Sequence, residues 1–314
     1  MTQSEISNRF SRRRLLGVGA ACASTAALRA AAEEAPQDKR VSNAKETYRT
    51  HARGIRILPG AWRPHYPWEH IAWVSPSWPS QDYVWLDFPE AIFTRQGLLY
   101  LSHVNPRVEP VKFPKPPAVS WQAVPGGIAY ERVLPNGVAF GGKITRARSG
   151  VDLELFIRNR SDELVSDITL QTCFFLRAIK EFAAYTADNK FVHAPGRGWL
   201  PFGEAHKLEG TTGRVRLGWR SGPKIADLPI MVTVSSTGKR LVACTWLSDT
   251  YSLITNPGHP CMHADPAFAD LPPGKSATIH GKLLFFDGSL TEFDREFRAG
   301  RLGLEQLLRS SRDP

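Results

Sequence analysis

Val151-Asp152-Leu153-Glu154-Leu155-Phe156-Ile157 sets an apolar side chain at every second position. A period of two is that of a β-strand with one face on a core, because successive side chains point to opposite sides of the backbone. Asn159-Arg160-Ser161-Asp162-Glu163 then supplies turn chemistry, and a second β-rich run occupies residues 165–176. Read locally, the two runs form a long antiparallel hairpin. The signature returns near the carboxyl end, where Leu271-Pro272-Pro273-Gly274-Lys275-Ser276 is a turn. Beyond it Ala277, Ile279, Gly281, Leu283 and Phe285 share a face, alternating with Thr278, His280 and Lys282. Further strands are expected at residues 70–74, 83–88, 98–103, 127–134, 137–146, 214–219, 229–235 and 240–247. Many short strands between Gly and Pro turns predict an all-β fold, a large antiparallel β-sandwich over residues 60–288. Ser289-Leu290-Thr291-Glu292 fits a capping box, so residues 289–314 are expected to hold short helices, interrupted at Gly300 and Gly303. A further helix is expected at 178–187.

Ahead of the sandwich, Ser11-Arg12-Arg13-Arg14-Leu15-Leu16 runs into a short apolar stretch that ends in Ala30-Ala31-Ala32. Residues 1–32 resemble a twin-arginine export signal, which implies a periplasmic or extracytoplasmic protein and the twin-arginine export machinery as a partner. The apolar run from Leu15 to Leu28 falls short of the roughly 20 residues that cross a bilayer, so no stable membrane span is expected. Residues 33–59 are charged and without apolar periodicity, and read as a polar tether. The net charge of +10 includes five arginines against one glutamate in residues 1–32. The remaining basic residues are scattered, which argues against a nucleic-acid partner. The cysteines are Cys22, in the signal, and Cys173, Cys244 and Cys261, an odd number that permits one disulfide and a free thiol or three thiols. No Gly-x-Ser-x-Gly elbow, Walker loop or His-Glu-x-x-His is present.

The strand at 151–157 with its Asn159–Asp162 turn, the long strand through Thr172–Phe175, and the 271–276 turn leading into a strand that ends Phe285-Phe286 together resemble the galactose-mutarotase-like carbohydrate-processing β-sandwiches. The resemblance implies a carbohydrate ligand and acid/base chemistry of an epimerase, lyase or hydrolase. No local motif here matches the His and Glu pair of that group's epimerases.

Three constellations carry candidate chemistry. In Asn256-Pro257-Gly258-His259-Pro260-Cys261-Met262-His263-Ala264-Asp265-Pro266, alternation in an extended segment would align His259, Cys261, His263 and Asp265. His259, Cys261 and His263 are ligands that suit a divalent metal, zinc or copper. The leading reading of the same segment is a proline-fixed loop with His263 and Asp265 bonded to backbone, and it also offers acid/base or sugar-contact groups. Trp62, Trp68 and Trp78 sit among prolines and are candidate sugar-stacking surfaces, whereas Trp73 and Trp85 at strand positions are expected in the core. Asp87, Glu90, Arg95, His103, Asp188, Lys190 and His193 gather acid/base types near strand ends. The expected catalytic set is His263 and Asp265 with His103 or His193, and Arg95 or Lys190 is expected to receive anionic groups. The functional expectation is an exported carbohydrate-active enzyme, with a non-catalytic carbohydrate-binding protein or a metalloprotein as alternatives.

Overall fold

Alternation decides which side of each strand meets its neighbour, and the result is two stacked sheets. The structure is a computed structural model describing residues 54–305 and 307, apart from 64, 106, 109 and 210–212. Along the first sheet run β1 (Ile57–Gly60), β2 (Ile71–Val74), β3 (Val84–Thr94), β9 (Thr169–Phe175), β17 (Cys261–Pro266), β16 (Thr250–Asn256), β12 (Val215–Leu217) and β13 (Lys224–Ala226), with β4 (Gly97–Leu101) also paired to β3. The second sheet runs β11 (Gly198–Pro201), β10 (Lys190–Ala194), β14 (Met231–Val234), β15 (Arg240–Thr245), β18 (Ser276–Asp287), β8 (Gly150–Asn159), β7 (Val138–Ala147), β6 (Gly127–Val133) and β5 (Gln122–Val124). Pairing is antiparallel except for β12 against β16.

The deciding stretch lies in β8, at the centre of the second sheet between β7 and β18. Val151, Leu153, Leu155 and Ile157 are buried in the core between the sheets, while Asp152 is exposed on the opposite face. From the first sheet Leu86, Phe88, Phe174 and Met262 meet them. Gly142 on β7 leaves room for this contact, since a Cβ there would lie 2.3 Å from Cε1 of Phe88.

The expected hairpin between 151–157 and 165–176 does not form, because β8 belongs to the second sheet and β9 to the first. Asn159 makes the corner. Its Nδ2 donates to the carbonyls of Glu163 and Leu271, each at 2.7 Å, and its Oδ1 accepts from the Ser161 amide at 3.0 Å. These bonds close the turn onto the 271 segment and send the chain across the core. The expected helix at 178–187 shrinks to one 3-10 turn, Lys180–Phe182, anchored by buried Phe182. A single turn, α1, covers Phe202–Ala205. At the carboxyl end α2 (Leu290–Arg298) carries the capping box, with the Ser289 amide bonded to Glu292 Oε2 at 2.7 Å. Phe293 and Phe297 fasten it to Ile230, Leu241 and Leu284 on the outer side of the second sheet. β1 begins inside the segment expected as a tether. The export-signal reading of residues 1–32 lies outside the described residues. No described helix is long and apolar enough to cross a membrane.

Trp246, fully buried, stacks on Phe88 at 5.8 Å and donates from Nε1 to Thr172 Oγ1 at 3.1 Å. Trp246→Ala is therefore expected to cost about 3–5 kcal/mol. Urea denaturation checks this, and a loss well under 1 kcal/mol would contradict the packing described.

Candidate active site

The outward face of the first sheet carries the polar chemistry. Val84, Leu86 and Phe88 of β3 and Leu170 and Phe174 of β9 point into the core. Trp85, Cys173, Phe175 and Cys261 meet on the other side, together with Trp62. Pairing of β3 with β9 is broken between Asp87, opposite Cys173, and Ala91, opposite Gln171, so β3 has two residues more than its partner there. Pro89 lies inside this break, where its missing N–H is not needed by the ladder. The break frees Glu90 to line a cleft of about 780 Å³ with Phe93, His103, Gln171, Trp219 and Tyr251.

At the cleft floor Gln171 Nε2 donates to Glu90 Oε2 at 2.8 Å, and His103 Nδ1 lies 3.8 Å from Glu90 Oε1. Ser102 Oγ sits 3.2 Å from His103 Nδ1 and donates to Asp87 Oδ2 at 2.7 Å. Arg63 closes the network. It donates to Asp87 Oδ2, to Ser102 Oγ at 3.2 Å and to Glu69 Oε2 at 2.9 Å. Burial, then repulsion from Asp87, pushes Glu90 up to about 8. Burial, then the Arg63 cation, lowers His103 to about 4. Asp87 is raised to about 6 by burial, with Arg63 opposing. Near neutral pH the cleft thus presents a protonated carboxyl beside a neutral imidazole, one able to give a proton and the other to take one.

A second cluster lies on the same sheet. One ligand atom each from Cys173, Cys261 and His263 fall within 4.8 Å of one another, and His263 Nε2 is 3.3 Å from Cys261 Sγ. The Cys173 thiol, by hydrogen bonding, lowers Cys261 despite burial, and His263 adds to the effect. Burial opposes a charged His263, but Cys261 through its charge and hydrogen bond, with Asp265 and Glu90 behind it, outweighs burial and raises the imidazole. Asp265 is held apart as a backbone acceptor, with Oδ1 3.0 Å from the Thr172 amide and 3.9 Å from His263 Nδ1.

Several residues expected at one site are separated. His193 is on the second sheet, 2.6 Å from Asp227 Oδ1 and beside Arg298 and Trp199. Lys190 is buried with its Nζ on the Thr186 carbonyl at 2.7 Å, and burial lowers it to about 8. His259 is exposed in the hairpin turn between β16 and β17 and falls outside the Cys173–Cys261–His263 group, because the chain becomes extended only at Cys261. Trp68 and Trp78 are core residues. Trp68 donates to the Leu101 carbonyl, and Trp78 packs on Phe182 and Phe285. Trp73 and Trp85, expected in the core, instead stand side by side on the outward face, with Trp62 stacked on Phe175 at 4.4 Å nearby. Arg95 is on the cleft rim, bonded to Asp167 at 2.7 Å. His103 is on the cleft floor, as described. Sequence reasoning collected Glu90 but did not select it, and passed over Gln171 and Trp219; the proline inside a strand-like run was the available signal for Glu90.

No protein-family model matches the chain, and no curated protein matches it. Among solved structures it is similar to a galactose mutarotase-like protein from Lactobacillus casei, at 10% identity over 74% of this chain and 100% of that one, with a TM-score of 0.40. It is similar to a GalM/aldose epimerase homologue from C. elegans at 9% identity, covering 75% and 100% with a TM-score of 0.37. It also overlaps a GH36 alpha-galactosidase from Geobacillus stearothermophilus at 13% identity, 65% of this chain and 30% of that one, with a TM-score of 0.34. Overlaps this loose carry no argument about family or activity.

Removing Arg63 strands Asp87 in the interior. Arg63→Ala is expected to cost about 3–5 kcal/mol. Asp87 already holds its proton more tightly folded than unfolded, so its contribution to stability falls as pH rises from about 4 toward 6. Without Arg63 that window extends upward, and the cost grows between pH 5 and pH 8. Adding Asp87→Asn is expected to recover part of it in urea denaturation; an equal cost in the double variant would dissociate Arg63 from Asp87.

Proposed function

We propose that the chain is an exported carbohydrate-active enzyme that moves protons at a sugar carbon in the Glu90/His103 cleft. The observation that carries the reading is the approach of Glu90 to His103, 3.8 Å apart at the floor of the cleft, with opposite proton-transfer capacity near neutral pH. The walls support a sugar as the ligand. Trp219, 54% exposed, offers an indole face beside Tyr251 and Phe93, and Asn105, Gln171, Arg95 and Arg220 offer polar groups for hydroxyls. The arrangement favours epimerisation or elimination over two-carboxylate hydrolysis. Ligand atoms of Asp87, Glu90 and His103 lie within 4.8 Å of one another, and Asp87 is locked to Arg63 and Ser102, whereas hydrolases hold two working carboxyl groups about 5–9.5 Å apart around the bond they cut. In the proposed step neutral His103 takes a proton and Glu90 gives one to the oxygen whose bond to carbon breaks. In epimerisation the anomeric hydroxyl loses its proton, the ring oxygen leaves and C=O forms before the ring recloses with both protons returned. In elimination the carbon loses its proton, the leaving oxygen departs and C=C forms. Gln171 holds the Glu90 carboxyl in place. Export rests on the Arg12-Arg13 segment.

The test is a panel of aldoses followed by NMR for change of configuration, and uronate-containing oligosaccharides followed by the ultraviolet absorbance of an unsaturated product. Glu90→Gln is expected to lower kcat by about 10²–10⁴-fold while sugar binding persists. Binding across the panel with no turnover by the unmutated protein would overturn the enzyme reading in favour of a sugar-binding protein.

The working form needs His103 unprotonated and Glu90 protonated. The profile of kcat/KM is therefore expected to rise through about pH 4 and fall through about pH 8. Activity that keeps climbing above pH 9 would assign the proton donor elsewhere.

A further inference from the structure

We propose that Cys173, Cys261 and His263 form a zinc site on the outward face of the central strands, distinct from the acid/base pair. Thiolate and imidazole are the donors zinc selects, and three protein ligands are the number that leaves zinc a fourth position for water. The spacing fits. Tetrahedral zinc with bonds of about 2.3 Å to sulfur and 2.0–2.1 Å to nitrogen sets donor atoms roughly 3.5–3.8 Å apart. Here Cys261 Sγ and His263 Nε2 are 3.3 Å apart, and all three donors lie within 4.8 Å of one another. Each residue is at most 5% exposed, so the donors are already assembled out of water.

A disulfide is the competing use of two neighbouring cysteines, and the register disfavours it. Cys261 faces Phe175 and Met262 faces Phe174. Continuing by one residue sets His263 opposite Cys173, which makes the cysteines diagonal neighbours. Diagonal positions in an antiparallel pair are about 7–8 Å apart at Cα. A disulfide needs about 4.4–6.8 Å. A metal spans that gap without moving the strands, since it stands between the sulfurs. The ligand set also differs from a reading of the 259–263 segment alone, since the facing strand contributes Cys173 and the turn residue His259 takes no part. Neither Glu90 nor His103 is among the three donors, so metal content and turnover are read separately.

The experiment is elemental analysis of the full chain after incubation with zinc chloride and gel filtration, with peptide mapping of its cysteines. One zinc per chain is expected, kept in His259→Ala and lost in Cys173→Ser and His263→Ala, with Cys173 and Cys261 protected from alkylation by zinc. Cobalt substitution of the unmutated chain covers the case in which the variants do not fold. Thiolate-to-cobalt charge-transfer bands with the strong visible absorption of tetrahedral cobalt are expected. Absence of stoichiometric metal in the unmutated chain, a Cys173–Cys261 disulfide in the peptide map, or full zinc content in folded Cys173→Ser would each overturn the proposal.

Discussion

A carboxylate between two apolar sheets must be paired or released, and β3 carries two of them within four residues, Asp87 and Glu90. Strict alternation would set Asp87 outward and Glu90 inward, against the core that receives Phe88 and Ile92. The two extra residues of β3 opposite β9 resolve the conflict, since the outward phase is the same at Asp87 and Ala91 while Glu90 is left out of the ladder. Phe88 still reaches the core, stacking on Trp246 and filling the space left by Gly142. The break that spares the core from a charge is thus also what delivers an acid to the cleft.

Much of the fold was legible because period-two patterning is a local property. Leu153, Leu155 and Ile157 face the core as their spacing requires, and Ser289 caps its helix as Glu292 three residues later implies. What local pattern cannot carry is the choice of partner. Residues 165–176 are as strand-like as 151–157, yet nothing in either run says that Asn159 will send one to each sheet. The tryptophans failed for a related reason. Neighbouring prolines suggest a surface position for Trp68 and Trp78, but the indoles of both turn inward, while Trp73 and Trp85 occupy outward phases of strands whose inward phases are already filled by aliphatic residues. At the site, His103, His263 and Cys261 were visible as residue types; the groups they work beside, Glu90 and Cys173, are set by pairing between distant strands.

Arg63 is the counterweight to this design. One guanidinium serves Glu69, Asp87 and Ser102 while lying over the Trp62 ring at 4.3 Å, so it joins the aromatic strip to the acid/base network. It acts in opposite senses on its neighbours. Its charge holds Asp87 below where burial alone would place it and adds to burial in keeping the His103 imidazole neutral, and it works only weakly on Glu90, where burial and Asp87 prevail. Two groups 3.8 Å apart thus differ in their response: burial and Asp87 keep Glu90 protonated where water would ionise it, and burial with Arg63 keeps His103 neutral well below the pH at which a free imidazole would charge.

The spacing of β9 ties these features together. Its outward residues Gln171, Cys173 and Phe175 follow one another at two strand steps, about 6.6–6.8 Å each. Gln171 holds Glu90, Cys173 meets Cys261 and His263, and Phe175 carries Trp62 and Trp85. One strand therefore spaces an acid/base pair, a thiol–imidazole cluster and an aromatic strip along a single line. Thr172, on the inward phase between the first two, bonds through its amide to Asp265 and through its hydroxyl to the Ala264 carbonyl and the Trp246 indole. The register of β9 against β17 is thus fixed twice at Thr172, from the core side by its hydroxyl and across the strands by its amide on the Asp265 carboxylate. Because Trp246 also donates to that hydroxyl, a change at Thr172 or Trp246 would loosen the strand that spaces all three groups and so reach them together.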